Sequence, residues 1–178
     1  MANILFNRKH LKEYALYGSI AGAFHGLTVW FFLRQPHYHT SPVLFIGSFF
    51  FMFSIMAYSI RLTRRRPEYK STWTMLIAGH MAVVTGILVS ATGSFILCWI
   101  YIPGLMSGQS SEDFLHSAPG GLNVNNIGTL ELIFITATFE NFVAGAFISA
   151  MIAYALKPNQ TRDQTPKIFE EPAEPGVL

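Results

Sequence analysis

Four stretches of roughly twenty or more residues carry almost no charge, and they constrain this chain more than any other feature. A hydrocarbon core about 30 Å thick is crossed by roughly 20 apolar residues in an α-helix, each rising 1.5 Å. The stretches run from about Tyr14 to Leu33, Pro42 to Ile60, Ser71 to Ile102 and Leu130 to Leu156, and only the last contains acidic residues. Charged residues make up 12% of the chain, about half the share usual in a soluble domain, and the mean hydropathy is +0.37. The expected fold is therefore all-α: a polytopic membrane protein with a four-transmembrane-helix bundle over residues 1–157. The proline-rich, acidic segment 158–178 is expected to be a disordered cytoplasmic tail.

Orientation follows from the basic residues, because short cytoplasmic loops keep an excess of Lys and Arg. With four spans and the N-terminus inside, the inner side receives Arg8, Lys9, Lys12, Arg61, Arg64, Arg65, Arg66, Lys70, Lys157, Arg162 and Lys167. Of the 12 basic residues only Arg34 falls outside, which predicts both termini in the cytoplasm. The first span is expected to be retained rather than cleaved as a signal peptide, since Arg34, Gln35 and Pro36 follow it where small residues would be needed. Trp30, Tyr38, Trp99 and Tyr101 at the outer ends, with Tyr14, Tyr58, Tyr69, Trp73 and Tyr154 at the inner ones, read as interfacial anchors. Arg64, Arg65 and Arg66 are first a topology signal and second a contact for anionic lipid headgroups.

Small residues let helix backbones approach in a membrane. Gly18, Gly22 and Gly26 form a glycine zipper in the first span. Gly79, Ala82, Gly86, Ser90 and Gly93 make a stripe in the third, and Ala137, Asn141, Gly145, Ser149 and Ala153 make one in the fourth. The second span, crowded with Phe49, Phe50, Phe51 and Phe53, is expected to face lipid. The same stripes serve contacts within the chain or with another copy, so a homo-oligomer or a larger membrane complex is the expected assembly. A net charge of +2 and the lack of any nucleic-acid motif exclude a nucleic-acid partner.

Glu140 falls about eleven residues into the last span, where a charge costs at least about 2.5 kcal/mol. It reads either as a proton, ion or substrate site or as a neutral carboxyl hydrogen-bonded to Thr136 or to a group on a neighbouring helix; Asn141 beside it makes a polar cluster. His25 lies on the glycine face of the first span at a depth matching Glu140, so the two form a candidate proton couple. Glu131 is expected at the helix N-terminus, favoured by the helix dipole. His25 and His80 are candidate haem b ligands between parallel helices, although His80 is turned about 100° from the small-residue stripe. Otherwise both are buried imidazoles with Thr28 and Thr85 as polar neighbours, and no cofactor is expected. His37, His39 and His116 on the outer side can in principle bind zinc or copper, but a two-histidine pattern favours exposed loop residues with no metal.

The loop from Gly104 to Gly128 lacks Lys and Arg and exceeds the usual length of structureless loops, so it reads either as a mobile loop or as one that something orders. Its segment SSEDFLHSA has a helix-start pattern, with Phe114 and Leu115 directed at lipid or protein. The third span, at about 45 Å, exceeds the bilayer core, and its apolar end FILCWIYIP predicts a covering loop or partner. No catalytic signature is present, and Cys98 stands without a base, so no enzymatic activity is expected.

The four spans, the basic second loop, the long third helix and the segment ATFENFVAGAFISAMIAYALKP resemble a family of uncharacterised small four-span bacterial inner-membrane proteins, over residues 14–102 and 129–157. The resemblance implies a bacterial inner-membrane location and no particular activity. The acidic proline-rich tail and the two intramembrane histidines depart from that pattern. The leading functional expectation is a structural or accessory subunit without catalysis of its own. The alternatives are a small proton-coupled transporter or channel subunit using Glu140 and His25, or a haem b electron-transfer subunit using His25 and His80.

Overall fold

The computed structural model describes residues 8–65, 72–102, 104–105, 114–116 and 125–156. Helix α1 (Arg8–Arg34) is joined through a 3₁₀ turn (Tyr38–Thr40) to α2 (Pro42–Arg65), and α3 (Thr72–Tyr101) follows. The last span is divided into α4 (Asn126–Ile135), a π-helical segment (Thr136–Glu140) and α5 (Asn141–Ala155). Four helices are long and apolar enough to cross a membrane: His10–Arg34, Tyr38–Thr63, Thr72–Tyr101 and Ile127–Ala155. Such helices satisfy their backbone groups internally, as a medium without water requires. The 158–178 tail and the capping pattern at Ser110–Asp113 lie outside the described residues, and the headgroup contacts expected of Arg64, Arg65 and Arg66 rest on side chains outside them.

Helices α1 and α3 run side by side in the same direction. A Cβ at Gly18 would lie 2.6 Å from the Ala82 carbonyl oxygen, and one at Gly22 would lie 2.6 Å from that of Gly86. The two backbones touch because neither glycine has a side chain to hold them apart. At one end Trp30 Nε1 donates to Tyr101 Oη at 3.0 Å, and at the other Arg61 donates to Tyr17 Oη at 3.0 Å, tying α2 to α1. Helix α5 packs against α2 and α3.

The zipper is shorter than its spacing predicts. A Cβ at Gly26 would meet nothing within 4 Å, so no neighbouring helix presses on that face of it, and the same holds at Gly93. Gly79 sits against Ser149 of α5, Gly86 against the Phe51 ring, and Gly145 against Val83 and Phe51. Helix α2 is also not simply the lipid-facing helix. Phe49, Phe50 and Phe53 are exposed, but Phe51, Ile55 and Tyr58 are buried at the centre of the bundle, one face apiece.

The buried apolar residues form two clusters. The one toward the chain termini includes Phe51, Ile55, Tyr58, Ala82, Val83 and Ile148. The one at the opposite end includes Val29, Phe32, Leu44, Cys98, Ile102 and Ile133, with Leu115 of the long loop closing over it. The apolar end of α3 is thus covered in part by its own loop, as Leu115 is turned to protein. Trp99 and Ile100 remain exposed.

Candidate functional site

Between the two apolar clusters lies a layer of buried polar side chains. His25, Ser48, Ser90, Ser94, Thr136 and Asn141 are each at most 3% exposed, and Glu140 is partly buried beside them. The packing of α1 on α3 sets the level: Gly18 and Gly22 face residues 82–90, which brings His25 opposite residues near 91. Ser90 and His25 therefore stand about one turn past the midpoints of their helices.

Adjacent residues of α2 connect the two ionisable groups. A Cβ at Gly47 would collide with Thr28 Oγ1 and lie 3.0 Å from His25 Nδ1, so the imidazole occupies the space that the glycine leaves. Ser48, rotated about 100° around the helix, lies beside the Glu140 carboxyl without completing a hydrogen bond to it. His25 and Glu140 thus flank the Gly47–Ser48 pair from α1 and from the last span.

The π-helical segment builds the other wall. The Asn141 backbone N–H bonds to the Thr136 carbonyl, five residues back, which frees the carbonyl of Ala137 from its normal α-helical partner. That carbonyl accepts instead from Ser90 Oγ at 2.7 Å and from Asn141 Nδ2 at 3.1 Å. One side-chain bond crosses to α3 and the other holds Asn141 in place. Both ring nitrogens of His25, Ser48 Oγ, Ser94 Oγ, Glu140 Oε2 and Asn141 Oδ1 have no protein partner. Buried polar atoms rarely stay unpaired, and such a cluster is a setting for water, a proton or a small polar ligand.

A smaller polar patch lies nearer the termini, where Gly79, Ser59 and Ser149 meet; the hydroxyls of Ser59 and Ser149 are buried without partners. Phe51 and Ile55 separate it from the main layer.

Several expectations change. His25 and His80 do not form a ligand pair. His80 is some eleven residues below the part of α3 that faces His25, about 16 Å along the axis, and its Nδ1 lies 2.8 Å from the Leu76 carbonyl oxygen. Thr28 and Thr85 do not serve the imidazoles, because their hydroxyls donate to the carbonyls of His25 and Met81. Thr136 likewise donates to Ile133 rather than meeting Glu140. Glu131 is not in the first turn: α4 starts earlier, at Asn126, with Asn125 Oδ1 capping the Gly128 N–H at 2.8 Å. Glu131 instead lines an apolar groove with Phe95, Leu130, Phe134 and Ile135.

Sequence reasoning missed Ser48, Ser94 and the π-helical segment. The serines sit in apolar runs where a hydroxyl bonding its own helix is commonplace, and no residue pattern marks a π-bulge. On the opposite, loop-bearing end, His37 and His116 come together with ring centroids 5.6 Å apart, whereas His39 faces Tyr38. Among the described residues no group of three or more His, Cys, Asp or Glu is placed to hold a metal. No family model, curated protein or solved structure matches this chain.

Proposed function

We propose that this chain is a proton-coupled subunit of a bacterial inner-membrane channel or transporter, with both termini cytoplasmic. Glu140 is the group that gains and loses the proton, and His25 is its relay partner across Gly47 and Ser48. One observation carries the reading: six polar atoms of the central layer are buried among four apolar helices without a protein partner. Leaving such an atom unpaired costs about 1–3 kcal/mol, an outlay that packing alone does not require of helices already joined through glycines. Intramembrane ionisable residues and π-bulges both concentrate at functional positions. Four spans form a small carrier, so the subunit works within a homo-oligomer or a larger complex. The lopsided distribution of basic residues supports the orientation.

A second reading, a non-catalytic accessory subunit, draws support from the apolar groove of about 470 Å³ beside Phe95 and Phe134, open on the outer surface of the bundle. The two separate in one experiment. Purified protein is reconstituted in vesicles with a pH-sensitive dye, and the Glu140→Gln variant is compared with the parent. Flux abolished with assembly intact supports the proton reading. A parent protein without flux, and a variant that loses assembly, would support the accessory reading.

A further inference from the structure

The loop-bearing end of the bundle holds a pair of histidines that the polar layer does not use. His116 comes from the long loop, 79 positions beyond His37 in the turn between α1 and α2, yet the two form a parallel β-bridge. The Tyr38 N–H donates to the His116 carbonyl and the His116 N–H donates to the Pro36 carbonyl, each at 2.9 Å. Residues paired in this way project their side chains to the same face, which is why the two imidazoles stand together.

The pair is held on a fixed backbone. The His37 N–H donates to the Gln35 carbonyl at 2.8 Å. The His37 carbonyl accepts from the Thr40 N–H at 2.9 Å and from Thr40 Oγ1 at 2.7 Å. Next to His116, Leu115 is anchored in the apolar cluster. Both imidazoles are exposed and open to solvent.

The spacing matches one shared ion. A transition metal about 2.1 Å from a ring nitrogen lies about 3.2 Å from that ring's centroid, so two imidazoles on one tetrahedral ion have centroids about 5–6 Å apart. The observed separation is 5.6 Å, with the rings inclined at 50°.

We infer that His37 and His116 form a two-histidine site for a divalent transition cation of the zinc or copper class, which bridges the long loop to the α1–α2 turn. Each neutral imidazole contributes one nitrogen lone pair and water fills the remaining positions. Imidazole is a good ligand for both ions, and Cu²⁺ binds more tightly than Zn²⁺ at such a site. The site lies on a different part of the molecule from Glu140 and stands independently of the proton reading.

The test uses the full chain in detergent, carrying an affinity tag without histidines and stripped with chelator. Zn²⁺ is titrated by calorimetry, and Cu²⁺ is added for electron paramagnetic resonance. One Zn²⁺ per chain is expected, weakened at least about tenfold by His37→Ala and by His116→Ala and changed less than about twofold by His39→Ala. The Cu²⁺ spectrum should show coupling to two nitrogens in the parent and to one in either variant. His116→Gln repeats the measurement with the side-chain volume retained, and an unchanged gel-filtration profile certifies the fold. Absence of saturable Zn²⁺ binding overturns the site. So does loss of binding in His37→Ala and His39→Ala with His116→Ala unaffected, which would assign the metal to a local His-x-His chelate.

Discussion

At the level of single residues, the contrast between Gly22 and Gly26 is a direct test of what holds α1 against α3. Lipid tails are as apolar as a leucine side chain, so helices in a bilayer gain their association from close packing and hydrogen bonds. A Cβ on Gly22 would meet backbone on the facing helix, at 2.6 Å from the Gly86 oxygen and 2.9 Å from the Ser90 nitrogen. Neither atom can rotate away, so the helices must separate. Gly22→Ala is expected to cost about 1–3 kcal/mol, read as a lower midpoint of thermal unfolding in detergent. Gly26→Ala, with open space around it, should leave the midpoint unchanged or raise it, since alanine is the better helix former. Equal losses at both positions would contradict this account. The same pair shows what a spacing rule can and cannot say. Successive glycines four apart identify a face, but each step of four residues also turns about 40° around the helix, and only the first two reach the contact. His25 and Glu140 were legible at this level because each is a polar residue in an apolar run. Their association through Gly47 and Ser48 was not, because it depends on the rotation of α2, which its run of phenylalanines conceals.

Whole elements were read from the sequence with little error: the four uncharged runs became four long helices, and their bounds moved by only a few residues. What the runs do not encode is a change of helix type inside one of them. The fourth span keeps small residues every fourth position through Ala137, Asn141 and Gly145, a pattern that an uninterrupted α-helix would satisfy equally well. The π-helical segment inserts an extra residue into one turn, and the geometry of the polar layer depends on it. Deletion of Thr138 tests this. Thr138 is partly exposed and its hydroxyl bonds within its own helix, to the Phe134 carbonyl at 2.6 Å. Removing it lets the Ala137 carbonyl take the N–H of Phe142 in a regular α-helical bond, while α4 and α5 keep the faces that they now present. Ser90 and Asn141 then compete with a backbone donor for that carbonyl. The shortened protein is expected to fold and assemble with undiminished thermal stability, and to lose the proton flux of the parent in the dye assay. Retained flux would show that the bulge is incidental to the polar layer.

For the molecule as a whole, the arrangement along the bundle matters more than any single site. Two polar zones, the main layer around His25 and Glu140 and the smaller patch at Ser59 and Ser149, are separated by Phe51 and Ile55, and the apolar cluster of Val29, Leu44, Cys98 and Ile133 closes the other side of the main layer. On the proposed proton function these apolar layers act as plugs, since a dewetted constriction blocks conduction. Phe51 is the aromatic part of the plug on the side of the termini: it is fully buried, and its ring fills the space left by Gly86 on α3 and Gly145 on α5. Phe51→Ala should therefore have two effects of opposite sign. Loss of the ring is expected to lower thermal stability by about 3–5 kcal/mol, the usual cost of truncating a buried phenylalanine. The cavity so opened lies between the two polar zones, and water entering it should raise the passive proton leak of reconstituted vesicles above that of the parent. Phe51→Leu, which keeps most of the apolar volume, should restore the low leak with a smaller loss of stability. A leak unchanged in Phe51→Ala, in a sample that remains assembled, would mean that the two zones are not parts of one path, and that the smaller patch only packs α3 against α5.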